Sequence, residues 1–111
     1  MIIILIIIGI LAYIQYYYCY SMATLPKGDY IGESTSPDGK YTLKAYLDSP
    51  ALSSDCVRGE LINNTTGKTK NIYWEYREWR ADIYWENDNT AVINGTILNV
   101  EKEVYDFRRK G

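Results

Sequence analysis

From Met1 to Pro26 the chain carries no charged side chain, and Ile2 to Ile14 is aliphatic apart from Gly9 and Tyr13. From Lys27 onward the pattern changes to short apolar runs interleaved with charges and punctuated by Gly, Pro, Asn and Asp. The first pattern predicts a helix over Ile2 to Tyr20. At about 1.5 Å per residue it is roughly 28 Å long, close to the roughly 30 Å of a bilayer's hydrocarbon layer. Residues 1–23 are therefore expected to form an N-terminal transmembrane anchor. Tyr13, Tyr16, Tyr17, Tyr18 and Tyr20 gather at one end, where phenol rings sit well at a lipid–water interface. The competing reading is a signal peptide cleaved after Ala23, because Ser21, Met22 and Ala23 place small residues where a peptidase inspects them. A buried core helix is the weaker alternative, since so small a domain rarely encloses a helix that is apolar all round. Tyr18 directly before Cys19 argues against lipid attachment at that cysteine.

Residues 24–28 read as a connector and residues 29–111 as one domain, since about eighty residues suffice for a single small core. Ser36-Pro37-Asp38-Gly39, Ser49-Pro50, Asn63 to Gly67, Asn87-Asp88-Asn89 and Asn94-Gly95 mark turns. Between them, strands are predicted at Tyr30–Ser34, Lys40–Asp48, Cys56–Asn63, Thr69–Glu75, Ala81–Glu86, Thr90–Ile93 and Thr96–Val100. Lys40–Asp48 alternates cleanly, with Tyr41, Leu43, Ala45 and Leu47 on one face. Asn94-Gly95 is the strongest hairpin signal. Glu75 to Ala81 has a competing helical reading, because Glu, Arg and Ala favour helix. The expected fold is mainly β, a small antiparallel β-sandwich or partly open barrel preceded by the one transmembrane helix. Leu43, Leu47, Val57, Leu61, Ile72, Trp74, Ile83, Trp85 and Leu98 are the expected core.

Charge and composition narrow the chemistry. Twelve basic residues are interspersed among fourteen acidic ones, a balance unsuited to nucleic acid. The chain has no histidine, which removes Ser-His-Asp and Cys-His nucleophiles and the commonest zinc ligand. Cys19 and Cys56 are too few for a zinc cage, and a bridge between them would fold the domain back onto the leader; Cys56 reads as a buried strand residue. Asn87, Asp88 and Asn89 lack the following glycine and glutamate of a calcium loop and read as a turn. Three carboxylate pairs, Asp55 with Glu60, Glu75 with Glu78 and Asp82 with Glu86, have the composition of glycosidic acid–base chemistry. Interleaved with Lys70, Arg77 and Arg80, they read more simply as solvated strand faces. No catalytic residue, cofactor or metal is expected. The best candidate interaction face is aromatic: Tyr73, Trp79 and Tyr84, flanked by Arg58, Arg77 and Arg80, with Trp74 and Trp85 assigned to the core.

Leu25-Pro26-Lys27-Gly28, Ser36-Pro37-Asp38-Gly39-Lys40-Tyr41-Thr42, Arg58-Gly59-Glu60-Leu61, Asn71 to Arg77 and Val92-Ile93-Asn94-Gly95 together resemble a family of small membrane-anchored proteins of Gram-positive, Bacillus-type bacteria. That family is known only as domain of unknown function 5412. The resemblance spans nearly the whole charged part. It implies a hydrophobic leader followed by a compact domain, and it implies no activity or site residue. Lys27 alone after the helix would leave the domain in the cytoplasm by the positive-inside count. The expectation adopted is the reverse, an extracytoplasmic domain at the cell membrane, because a hydrophobic segment before one compact domain usually exports it. The expected function is non-enzymatic binding of an envelope component or a protein partner. The alternatives are a small carboxylate-dependent hydrolase of cell-wall glycan and a protective or inhibitory accessory protein.

Overall fold

The computed structural model describes residues 2–20, 25–50 and 54–109, with the backbone alone for residues 14–20 and Arg109. The cleavage point after Ala23 and the Cys19 side chain lie outside the described residues, as do Thr24 of the connector and the rings of Tyr16, Tyr17, Tyr18 and Tyr20. Among the described residues one α-helix, α1 (Ile2–Tyr20), precedes eight strands. These are β1 (Asp29–Thr35), β2 (Tyr41–Asp48), β3 (Cys56–Asn63), β4 (Thr69–Tyr76), β5 (Ile83–Trp85), β6 (Thr90–Ile93), β7 (Thr96–Asn99) and β8 (Tyr105–Asp106). A 3-10 turn, Phe107–Arg109, follows β8.

The expectation of a transmembrane helix is corrected: among the described residues no helix is long and apolar enough to cross a membrane. The aliphatic part of α1, residues 2–14, rises only about 20 Å, well short of the hydrocarbon thickness, and the remainder of the helix is rich in tyrosine. Its described side chains are nonetheless uncovered, with Ile2 75 % and Leu11 60 % exposed.

The turns form for local reasons. Ser36 donates its hydroxyl to Asp38 Oδ1 (2.7 Å) and accepts the Tyr41 N–H (3.1 Å), while Lys40 N–H also reaches Asp38 Oδ1 (3.0 Å). This reversal delivers β1 into β2. Asn94 and Gly95 both take positive φ, 48° and 82°, the two-residue turn that matches strand twist, and they join β6 to β7.

The strands form a five-stranded sheet in the order β1-β2-β3-β4-β8 and a three-stranded sheet in the order β5-β6-β7. The all-antiparallel expectation is corrected at β8, which runs parallel to β4. No pattern signals a two-residue strand after residue 100, because a segment that short shows no period. The predicted Ala81–Glu86 strand contracts to Ile83–Trp85, and Glu75–Ala81 forms no helix, since β4 continues through Tyr76 and the chain then turns irregularly.

One apolar cluster joins both sheets: Leu43, Ala45, Val57, Leu61, Ile72 and Tyr73 from the larger, Ala91, Ile93 and Leu98 from the smaller. Of the expected core, Leu43, Val57, Leu61, Ile72, Trp74 and Leu98 are buried, and Leu47, Ile83 and Trp85 pack at its margin. Trp85 also donates its indole N–H to Ser34 O (3.1 Å), tying β5 to β1. Tyr73, expected on an exposed face, is fully buried. The cause is a β-bulge: Gly59 pairs with Tyr73 but Glu60 pairs with Asn71, leaving Ile72 as an extra residue. Alternation is interrupted there, and Tyr73 joins Ile72 in the core. Gly59 makes room for it, since a Cβ at that position would stand 2.8 Å from Tyr73 Cβ.

Arg58, also expected to be exposed, is buried on the opposite face of β3. All three of its guanidinium nitrogens donate. Nε and Nη2 donate to the Lys27 carbonyl (3.2 and 2.8 Å), and Nη1 donates to Glu60 Oε2 (3.0 Å) and Asn71 Oδ1 (2.7 Å). The Tyr46 ring lies 4.2 Å beneath it. Arg58 thus fastens the connector to the outer face of the sheet, a structural role that composition alone does not indicate.

Candidate functional site

β4 stops at Tyr76 because Arg77 takes φ 62°, the left-handed region, which costs a residue with a side chain about 1–2 kcal/mol. The turn is held from outside: Asp55 O accepts the N–H of Arg77 (2.8 Å) and of Glu78 (3.3 Å). Residues 77–82 then cross from the larger sheet to the smaller one. Asn94, in the β6–β7 turn, anchors the far end of this segment. Its N–H donates to Asp82 O (2.9 Å), and its Oδ1 accepts the Asp82 N–H (2.8 Å). Its amide donates to Arg80 O (2.8 Å) and Glu78 Oε1 (2.9 Å). From the core, the Tyr73 hydroxyl donates to the same Glu78 oxygen (2.5 Å).

The result is an open cleft of about 350 Å3 lined by Arg77, Glu78, Trp79, Arg80, Asp82 and Asn94. Trp79 and Arg77 also border a second depression, completed by Ser54 and Asp55, so the indole stands between two hollows. Trp79 is 68 % exposed. Among the described residues, neither Arg77 nor Arg80 is in an ion pair; the two ion pairs present are Arg58–Glu60 and Arg108–Asp106. The Arg77 guanidinium lies 5.3 Å from the Tyr76 ring centroid, its cation resting on an aromatic face.

Beneath the cleft lies a tyrosine–carboxylate floor. Tyr73 and Tyr105 stack with ring centroids 5.4 Å apart, and the Tyr105 hydroxyl donates to Glu75 Oε2. The hydrogen bond to Glu75, then burial, pushes the Tyr105 phenol up to about 12, and burial with the Glu78 bond raises Tyr73 further. Both phenols are therefore firmly protonated donors. Burial, with the Asp48, Asp55 and Glu75 carboxylates, pushes the Cys56 thiol up to about 11, which leaves it a poor nucleophile at neutral pH.

Of the six expected face residues, Arg77, Trp79 and Arg80 come together at this cleft. Tyr84 is exposed on β5 but does not line it. Tyr73 contributes only its hydroxyl, from below, and Arg58 serves the connector on the other face. Glu78, Asp82 and Asn94 complete the lining. Asn94 is visible in the sequence as a hairpin residue, but nothing there assigns its amide to a segment sixteen residues earlier. A third hollow of about 520 Å3, between Tyr41, Lys68, Lys70 and Glu101, lies at the other end of β4 and offers no exposed aromatic ring. Among the described residues, no three carboxylates or thiols are grouped to hold a metal ion.

No curated protein and no solved structure matches the chain. The model of the family described as "Family of unknown function (DUF5412)" matches residues 1–110, and the chain belongs to that family.

Proposed function

We propose that this protein is a non-enzymatic binding module, a small two-sheet sandwich held at the outer face of the cell membrane by α1. Its recognition surface for an envelope component is the cleft between Arg77 and Asp82. The observation that carries the reading is Trp79, a large ring left in solvent at a cleft whose two arginines, Arg77 and Arg80, make no ion pair among the described residues. Exposed aromatic residues flanked by arginine are the typical anchors of recognition surfaces. The backbone strain at Arg77 supports the same location, because left-handed conformations of residues with side chains concentrate at functional sites. The uncovered aliphatic surface of α1 supports attachment to lipid, since an apolar surface of that kind in water is unfavourable. Of the carboxylates at and below the cleft, Glu78 accepts from Tyr73 and Asn94 and Glu75 accepts from Tyr105, so among the described residues Asp82 is the one lining carboxylate without such a local role. That use of Glu78 and Glu75 favours binding over acid–base hydrolysis.

The test is co-sedimentation of the full chain, in uncharged detergent micelles, with isolated bacterial envelopes stripped of protein. Wild type is expected to sediment with them, and Trp79→Ala to stay in solution with an unchanged unfolding temperature. Equal sedimentation of the two overturns the assignment of the cleft. Release of soluble glycan that stops on Glu78→Gln replaces binding with hydrolysis. Location is read separately, by carbonate extraction of the native protein and by a compartment-sensitive reporter fused after Gly111.

A further inference from the structure

We propose that the cleft takes a zwitterionic ligand, a phosphate joined to an ammonium group, presented as a headgroup at the surface of the bilayer to which α1 is attached. The inference rests on the reading above and names the ligand class of the same site.

Position is the first support. Gly28 packs on Leu47, where an added Cβ would lie 2.6 Å from the Leu47 carbonyl oxygen, so the connector enters the domain beside the end of β2. By the strand register, Asp48, Cys56 and Tyr76 occupy that same end of the larger sheet, and Arg77 follows Tyr76 directly. The stretch from Tyr20 to Leu25 cannot span more than roughly 18 Å, whatever its path. Lys27 is already fastened to Arg58. The connector from α1 and the cleft therefore lie at the same end of the larger sheet.

Charge is the second support. Two guanidinium groups and two carboxylates, Arg77 and Arg80 with Glu78 and Asp82, line one hollow. A balanced lining does not suit a simple polyanion; it suits a ligand that carries both signs. Guanidinium groups bind phosphate through paired N–H donors. Tyr73 and Asn94 both use Glu78 Oε1, which leaves Oε2 and the Asp82 carboxylate, without partners among the described residues, to receive an ammonium. The Trp79 ring adds a π face for the same cation, and indoles favour the lipid–water boundary. Size is the third support. A cleft of about 350 Å3 is at the small end of ligand sites and fits a single headgroup.

The experiment uses the full chain in uncharged detergent micelles, with binding followed by phosphorus NMR and calorimetry. Phosphoethanolamine, glycerol phosphate and inorganic phosphate are the free probes, and phosphatidylethanolamine doped into the micelles is the lipid-borne one. Phosphoethanolamine is expected to bind at least about tenfold more tightly than glycerol phosphate. Asp82→Asn is expected to erase that preference. Arg77→Gln with Arg80→Gln is expected to weaken binding of every phosphate about tenfold or more without changing the unfolding temperature. Binding of the lipid-borne form, with or without the free one, supports a site at the bilayer. Binding of the free form alone removes the bilayer from the proposal. Equal affinity for all three free probes, or no binding of any probe, free or lipid-borne, overturns the ligand class. If Trp79-dependent envelope binding persists in that case, only this inference falls; if it is absent too, the binding reading falls with it.

Discussion

At the scale of single residues, two positions show how backbone geometry is matched to side chain. Gly59 leaves the space that Tyr73 occupies, and Leu43 and Ile93 close in at 3.5 Å from where a Cβ would stand. Gly59→Ala is expected to lower stability by about 1–3 kcal/mol, the range for overpacking a close-fitted core, measured by urea unfolding. A loss of under about 0.5 kcal/mol would show that the Tyr73 backbone yields freely there. Arg77 is the opposite case, a residue with a full side chain in a conformation that glycine adopts more easily. Arg77→Val is expected to cost about 1–2 kcal/mol, because β-branching aggravates the left-handed φ, whereas Arg77→Gly is expected not to lower the unfolding temperature. If Arg77→Gly is also defective in envelope binding, the strain is retained for the guanidinium it displays.

At the scale of elements, the strands were legible where they are longest and most regularly patterned. β3 and β6 begin and end where Cys56–Asn63 and Thr90–Ile93 were expected, because turn residues bound both segments. β2 shows Tyr41, Leu43 and Ala45 buried on the face that alternation assigns to the core. The bulge at Ile72 was not legible, since an extra residue in one strand is defined only by its partner's register. The same limit hid Arg58, whose partners come from the connector, its own strand and β4. Arg58→Ala is expected to cost about 3 kcal/mol, because it strands the Lys27 carbonyl, Asn71 and a half-buried Glu60 together. Adding Glu60→Gln is expected to recover part of that loss, and strict additivity of the two changes would show that the pair is not coupled.

At the scale of the whole molecule, stability is expected to decline in alkali. Cys56 and Tyr105 ionise in the unfolded chain near their ordinary values of 9.0 and 10.0, but in the folded protein only near about 11 and about 12. Above pH 9 the unfolded chain therefore binds fewer protons than the native one. Their contribution is fully present below those ordinary values and is lost as pH rises through the folded ones. The unfolding temperature should fall between about pH 9 and 12, and Cys56→Ala combined with Tyr105→Phe should make that fall shallower, the remainder coming from Tyr73, whose phenol is raised further; an unchanged slope would exclude both groups as its source. The sequence by itself determined an apolar N-terminal helix, mainly β structure after it, most strand positions and the absence of histidine chemistry, because period, turn chemistry and composition are local properties. Only the tertiary structure decided that Tyr73 and Arg58 are internal, that β8 lies parallel to β4, and that Asn94 gathers Glu78, Arg80 and Asp82 around Trp79. Each of these depends on register or on a contact between segments distant in the chain, and such contacts leave no periodic mark on the residues that make them.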